Sequence, residues 1–131
     1  MNYRHAFHAG NFADLVKHAG LLALLDRMLA GPPVTVVDTH AGRGLYDLAG
    51  VEARRSGEAE AGVARLMGGD DRPAALEALA RRVRDLNGPG GVMLYPGSPI
   101  LIAGALRPAD RYMACELQPE EARKLKQEFQ A

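Results

Sequence analysis

The chain has 131 residues with 16 basic and 16 acidic side chains, no net charge, and 47% hydrophobic positions. That length suits one domain with a modest core, and the apolar fraction excludes a disordered chain. Zero net charge excludes a global pull toward nucleic acid or membrane, leaving only local basic patches as a source of such binding.

The start, MNYRHAFHAGNF, has no apolar leader core, and no apolar run approaches the ~18 residues of a membrane span, so a cytoplasmic, non-membrane protein is expected. Residues 1 to 10 read as a polar arm. Asn11 then caps a helix, with Asp14 favouring its positive N-terminus; Leu15, Val16, Ala19, Leu22, Ala23, Leu25 and Leu29 recur at helical spacing until Gly31-Pro32-Pro33. Val34-Thr35-Val36-Val37 is a short β-branched run of the fully buried kind, followed by the loop Asp38-Thr39-His40-Ala41-Gly42-Arg43-Gly44.

From about Asp47 to Gly91 two alanine-rich amphipathic stretches, roughly 56 to 67 and 73 to 87, predict a small helical insert without strands. Ser98-Pro99 predicts a helix start with Ser98 as cap, and the helix runs to about Leu106. Arg111 to Leu117 reads as a second buried strand, parallel and adjacent to the first, with Cys115 a small buried hydrophobe and Glu116 at its end. A lone cysteine makes no intramolecular disulfide, which fits a reducing compartment. Pro119 opens a charged helix to the C-terminus. The expected organisation is α/β: residues 1–46 begin a nucleotide-binding domain, 47–94 form the insert, and 95–131 continue the domain.

A strand, a glycine loop and a strand-terminal acid form the pattern by which a βαβ unit holds a nucleotide, the glycines admitting backbone to the ligand and the acid taking ribose hydroxyls. Glu116 follows Gly44 by 72 residues, where ~20 is usual. A self-contained insert accounts for the difference, since loop-closure entropy grows only logarithmically. The loop is not G-x-G-x-x-G. It lacks the third glycine that serves a pyrophosphate and contains His40, which favours S-adenosylmethionine over a dinucleotide. All four histidines, His5, His8, His18 and His40, lie in the first 40 residues. They match no standard zinc spacing and no carboxylate or thiolate clusters with them in sequence, so no metal is expected.

Assembled, the stretches YRHAFHAGNFADLVKH (3 to 18), DTHAGRGLY (38 to 46), RSGE (55 to 58), YPGSP (95 to 99) and CELQP (115 to 119) closely resemble the N-terminal half of the ribosomal RNA large subunit methyltransferase J family. The resemblance implies a Rossmann-like methyltransferase fold, S-adenosylmethionine as cofactor and N6 of one adenine in 23S rRNA as methyl acceptor. It places cofactor contacts on His18, His40, Gly42, Ser98 and Glu116, with Lys17 beside the cofactor, and Tyr3 where the family meets the target adenine. The family's catalytic Asp-Pro-Pro-Tyr motif falls beyond position 131 and occurs nowhere in this sequence. The chain is therefore expected to carry no catalytic residue, to be truncated, to be inactive alone, and to self-associate through an uncovered sheet edge. The alternative is a non-catalytic nucleotide- or RNA-binding module in which Arg54, Arg55, Arg81, Arg82 and Arg84 meet phosphate.

Overall fold

A computed structural model describes residues 4–130; Tyr3 lies outside the described residues. In chain order the elements are a 3-10 turn (His5–Phe7), α1 (Phe12–Met28), β1 (Thr35–Asp38), β2 (Leu45–Asp47) and α2 (Val51–Ser56). A π turn (Glu60–Ala64) leads into α3 (Arg65–Gly68), and α4 (Glu77–Asn87) is followed by β3 (Leu94–Pro96), α5 (Ser98–Ala105), β4 (Arg111–Ala114) and α6 (Pro119–Gln130).

β1 and β4 pair in parallel, with Thr35 opposite Arg111 and Val37 opposite Met113, as the sequence predicts. The ladder runs past both strands: Cys115 N–H donates to the Asp38 carbonyl at 2.8 Å, and Ala41 N–H to the Cys115 carbonyl at 3.0 Å. The loops leaving β1 and β4 therefore emerge side by side. One guanidinium ties the strand entries to α1: Arg107 donates to the Leu29, Gly31 and Pro32 carbonyls and to Asp110, whose carboxylate also accepts Val34 N–H.

Between Asp47 and Gly91 the chain is helical, as expected, apart from Asp47 itself, but two short strands that the sequence does not announce flank this stretch. β2 and β3 form an antiparallel pair, with Tyr46 opposite Tyr95. Three-residue strands are too short for alternation to register, and Pro96 argues against a strand in isolation. The strands form because both tyrosines bury their rings in the core, while the Asn87 side chain accepts Met93 and Leu94 N–H and donates to the Leu94 carbonyl. The first predicted insert helix forms over residues 58–68 with a π turn at Glu60–Ala64, and left-handed Gly57 separates it from α2, which the sequence does not announce.

The arm is not simply polar: Ala6 and Ala9 join a core made with Leu15 and Leu22 of α1, Val63, Leu66, three residues of α4, Tyr46, Tyr95 and Leu101. This core lies between α1, α4 and the antiparallel pair, away from the parallel sheet. There Val37 and Met113, opposite each other, are 55% and 57% exposed. Among the described residues no third strand flanks β1 or β4.

Candidate functional site

The outgoing end of β1 faces α1 and α5 across a cavity of about 390 Å³, lined by Lys17, His18 and Leu21 of α1, Val36 to His40, and Ser98 and Ile102 of α5. Four of the residues singled out from sequence, Lys17, His18, His40 and Ser98, thus meet in one place. The volume falls in the ~300–1,000 Å³ range of small-molecule sites. α1 supplies its pair because adjacent positions 17 and 18 straddle the boundary between its solvent and core faces. Lys17 is largely exposed, whereas His18 is 1% exposed.

Ser98 does not cap its helix. The first residue of α5 follows Gly97 as cap, and the Ser98 hydroxyl donates instead to Asp38 Oδ2 at 2.7 Å. Tyr112 donates to the same oxygen at 3.2 Å, and His40 N–H reaches Asp38 Oδ1 at 3.3 Å. Asp38 therefore joins β1, β4, α5 and the loop. The sequence signal was there to find, since an acid ending an apolar strand is the very signal used for Glu116, although the structure leaves both strands exposed to half-buried rather than buried as expected. Desolvation, then the Asp38 charge, keeps the Tyr112 phenol un-ionised well above its usual range.

Gly42 and Glu116 lie outside the cavity lining but touch each other: the Glu116 carboxylate accepts Gly42 N–H at 2.8 Å and Gln118 N–H at 2.8 Å. Gly42 sits at φ +71°, and a Cβ there would run into the Tyr46 hydroxyl, so glycine is required twice over. The next residue, Arg43, grips Glu121 of α6 with two hydrogen bonds, at 2.8 and 2.6 Å, and its guanidinium lies 5.6 Å from the Tyr46 ring centroid. The Glu116 side also borders a second cleft of about 440 Å³, formed with Ala114, Leu125, Lys126 and Phe129. Cys115 is exposed, correcting its expected burial: the strand side chains here lack a covering layer.

Beneath the cavity lies a buried ionic cluster. Asp14, 2% exposed, accepts from Gly10 N–H at 3.0 Å, contacts His5 Nε2 at 2.8 Å and pairs with Lys17 Nζ at 2.9 Å. Burial alone would raise its pKa, but the hydrogen bond and charge of His5 and the hydrogen bond from Lys17 outweigh it and hold the carboxylate well below the usual range. For His18, burial dominates and pushes the pKa down to about 4, with Lys17 and His5 assisting and Asp14 and Asp38 opposing. His18 is thus neutral at pH 7, its Nδ1 2.7 Å from the Tyr95 hydroxyl. Sequence reading took Asp14 only as a first-turn charge and assigned Tyr95 no role, because both roles depend on contacts across the fold. His8 contacts Glu58, which also accepts from Asn11, so this histidine bridges the arm to the residues after α2. Among the described residues no three His, Cys, Asp or Glu side chains cluster as a metal site, and no helix is long and apolar enough to cross a membrane.

Comparison with known proteins adds independent support. Residues 31–131 match the family model described as ribosomal RNA large subunit methyltransferase D, RlmJ. The chain is 40% identical over 131 residues to ribosomal RNA large subunit methyltransferase J of Escherichia coli K12, covering 99% of this chain and 47% of that one. Against the Haemophilus influenzae protein of the same name, identity is 35%, covering 98% and 47%. The chain therefore spans about half the length of the curated relatives it matches. The crystal structure of a Legionella pneumophila protein superposes with a TM-score of 0.83 at 33% identity, covering 91% of this chain and 44% of that one. With a family match over more than three quarters of its length, and with the loop, the strand-terminal acid and the cavity in place, this chain belongs to the ribosomal RNA large subunit methyltransferase J family.

Proposed function

We propose that this chain is the cofactor-binding half of a Rossmann-like, S-adenosylmethionine-dependent methyltransferase that acts on N6 of an adenine in 23S rRNA. The observation that carries the reading is the parallel β1–β4 pair, which delivers the His40–Gly44 loop and Glu116 to one end of the sheet beside the Lys17–His18–Ser98 cavity. S-adenosylmethionine supplies, when bound, an activated sulfonium methyl group. The donor set suits it: Lys17 brings positive charge, His18 a neutral imidazole, and the loop a backbone freed of side chain at Gly42. Glu116 is the acceptor for ribose hydroxyls; its oxygens take two backbone N–H groups and retain further lone pairs. In this reading Tyr3 serves the target adenine, residues 47–94 are an insert within the methyltransferase domain, and the protein works in the cytoplasm.

Glu116→Ala is expected to weaken S-adenosylmethionine binding in a relative-length protein by ~1.5–3 kcal/mol, the scale of losing charge-assisted hydrogen bonds. Unchanged affinity by calorimetry removes Glu116 from the site. The bare apolar pair Val37–Met113 and the open strand edges further predict that the isolated chain self-associates; light scattering showing a monomer at high concentration contradicts this.

The function itself is tested by tritiated methyl transfer to unmodified 23S rRNA. No Asp-Pro-Pro-Tyr occurs in these 131 residues, so nothing orients the adenine amine, and the chain alone is expected to transfer none while a relative-length protein does. Turnover by the chain alone places the catalytic groups elsewhere. A second reading, a non-catalytic RNA module, draws on Arg81 and Arg84, exposed three residues apart on α4. Such a module gives RNA binding without response to S-adenosylmethionine.

A further inference from the structure

Tyr95 is wholly buried on β3, across the fold from α1, yet its hydroxyl touches the cavity machinery. Burial keeps this phenol protonated far above its usual range, so the hydroxyl carries a hydrogen that must be donated. Among the described residues the only partner within reach is His18 Nδ1, at 2.7 Å. An imidazole that accepts at Nδ1 carries its proton on Nε2. Among the described residues that second nitrogen has no hydrogen-bond partner, and it is not among the buried polar atoms shut off without one. Since His18 lines the cavity and is otherwise enclosed, Nε2 is the atom open to it.

We propose that Tyr95 is a positioning residue that fixes His18 as a neutral Nε2–H donor aimed into the cavity, where it meets a carboxylate of the bound ligand. The carboxylate is assigned because the neighbouring cation, Lys17, lines the same cavity. Lys17 is already paired with Asp14, so it offers a partly neutralised charge that a directional N–H complements. A fixed neutral donor binds without the desolvation cost of a buried imidazolium. The assignment of the ligand as an amino-acid-bearing nucleoside rests on the function proposed above; the tautomer does not.

Long-range ¹H–¹⁵N correlation spectra of the 131-residue chain at pH 7.5 test both. The expected His18 pattern is a bare Nδ1 and a protonated Nε2, with Nε2 shifting on addition of S-adenosylhomocysteine and not with 5′-methylthioadenosine, which lacks the amino-acid carboxylate. Tyr95→Phe is expected to move the Nδ1 resonance and to raise the dissociation constant for S-adenosylhomocysteine by roughly threefold to tenfold, the effect of one misaligned hydrogen bond. A protonated Nδ1 in the unmodified chain overturns the proposal, even if Tyr95→Phe fails to fold. A folded Tyr95→Phe chain with unchanged Nδ1 resonance and affinity overturns it as well. The expected tautomer with no response to either nucleoside upholds the Tyr95 role and overturns the cofactor reading, so the two failures are distinguishable.

Discussion

Gly62→Ala is expected to destabilise the fold by about 3 kcal/mol, the upper range of overpacking costs, and to lower Tm by roughly 10 °C for a chain of this length. Gly62 sits in the π turn where it crosses the entrance to α1. A Cβ built there collides with the Gly10 carbonyl oxygen and comes within 2.9 Å of the Asn11 Cα and carbonyl carbon. The obstacles are backbone atoms, which no rotamer change can clear. Separation would break the Val63 N–H to Gly10 carbonyl bond of 2.8 Å and loosen the Gly10 N–H to Asp14 bond that anchors the ionic cluster under the cavity. Urea unfolding of the variant checks the magnitude, and a change below about 0.5 kcal/mol, the scale of an inert surface substitution, contradicts the packing described here. Gly68→Ala is the control, because a Cβ there meets nothing.

Acidification is expected to destabilise the protein in two successive windows. His18 has a folded pKa of about 4 against 6.5 for the free side chain, so between these values the unfolded chain binds a proton that the folded chain refuses. Its contribution is complete above pH 6.5 and declines as pH falls to about 4, by a total of about 3 kcal/mol at 1.36 kcal/mol per unit. The groups that face it are Asp14 and Lys17 on its own helix, His5 from the arm, Asp38 from β1 and Tyr95 from β3. Asp14 acts lower: its folded pKa is depressed, so its stabilisation is present above 3.8 and is lost as pH falls further. Urea midpoints at pH 7, 5 and 4 measure the first window, and His18→Gln, which does not titrate, is expected to flatten it. An equally steep decline in that variant assigns the window to other groups.

The elements that position the site were legible because each carried a strong local signal. α1 has a capping Asn11 and a repeating apolar face, β1 is a β-branched run between proline and glycine punctuation, and Pro99 and Pro119 mark the starts of α5 and α6. The strands β2 and β3 were not legible, since three residues hold no periodicity and their pairing depends on Tyr46, Tyr95 and the Asn87 bridge. At the site, sequence reading named residues better than it named their tasks. Ser-Pro is a helix-start signal that marks Ser98 as a cap, yet its hydroxyl turns to Asp38, an acid 60 positions away. Glu116 was read as an acid awaiting a ligand, yet it also holds the glycine loop through Gly42. Asp38, Asp14 and Tyr95 were missed as site residues because their work is done through bonds to other site groups, and such bonds have no sequence period.

In the proposed function the cavity between α1, β1 and α5, together with the Gly42–Glu116 junction, forms the cofactor site. Backbone amide spectra of the ¹⁵N-labelled 131-residue chain, titrated with S-adenosylhomocysteine, are the test, because chemical shifts register even weak binding. Saturable shifts are expected at Lys17, His18, His40, Gly42, Ser98 and Glu116, with α4 silent. Saturable shifts confined to α4 and its arginines, or none at any ligand concentration, would contradict it.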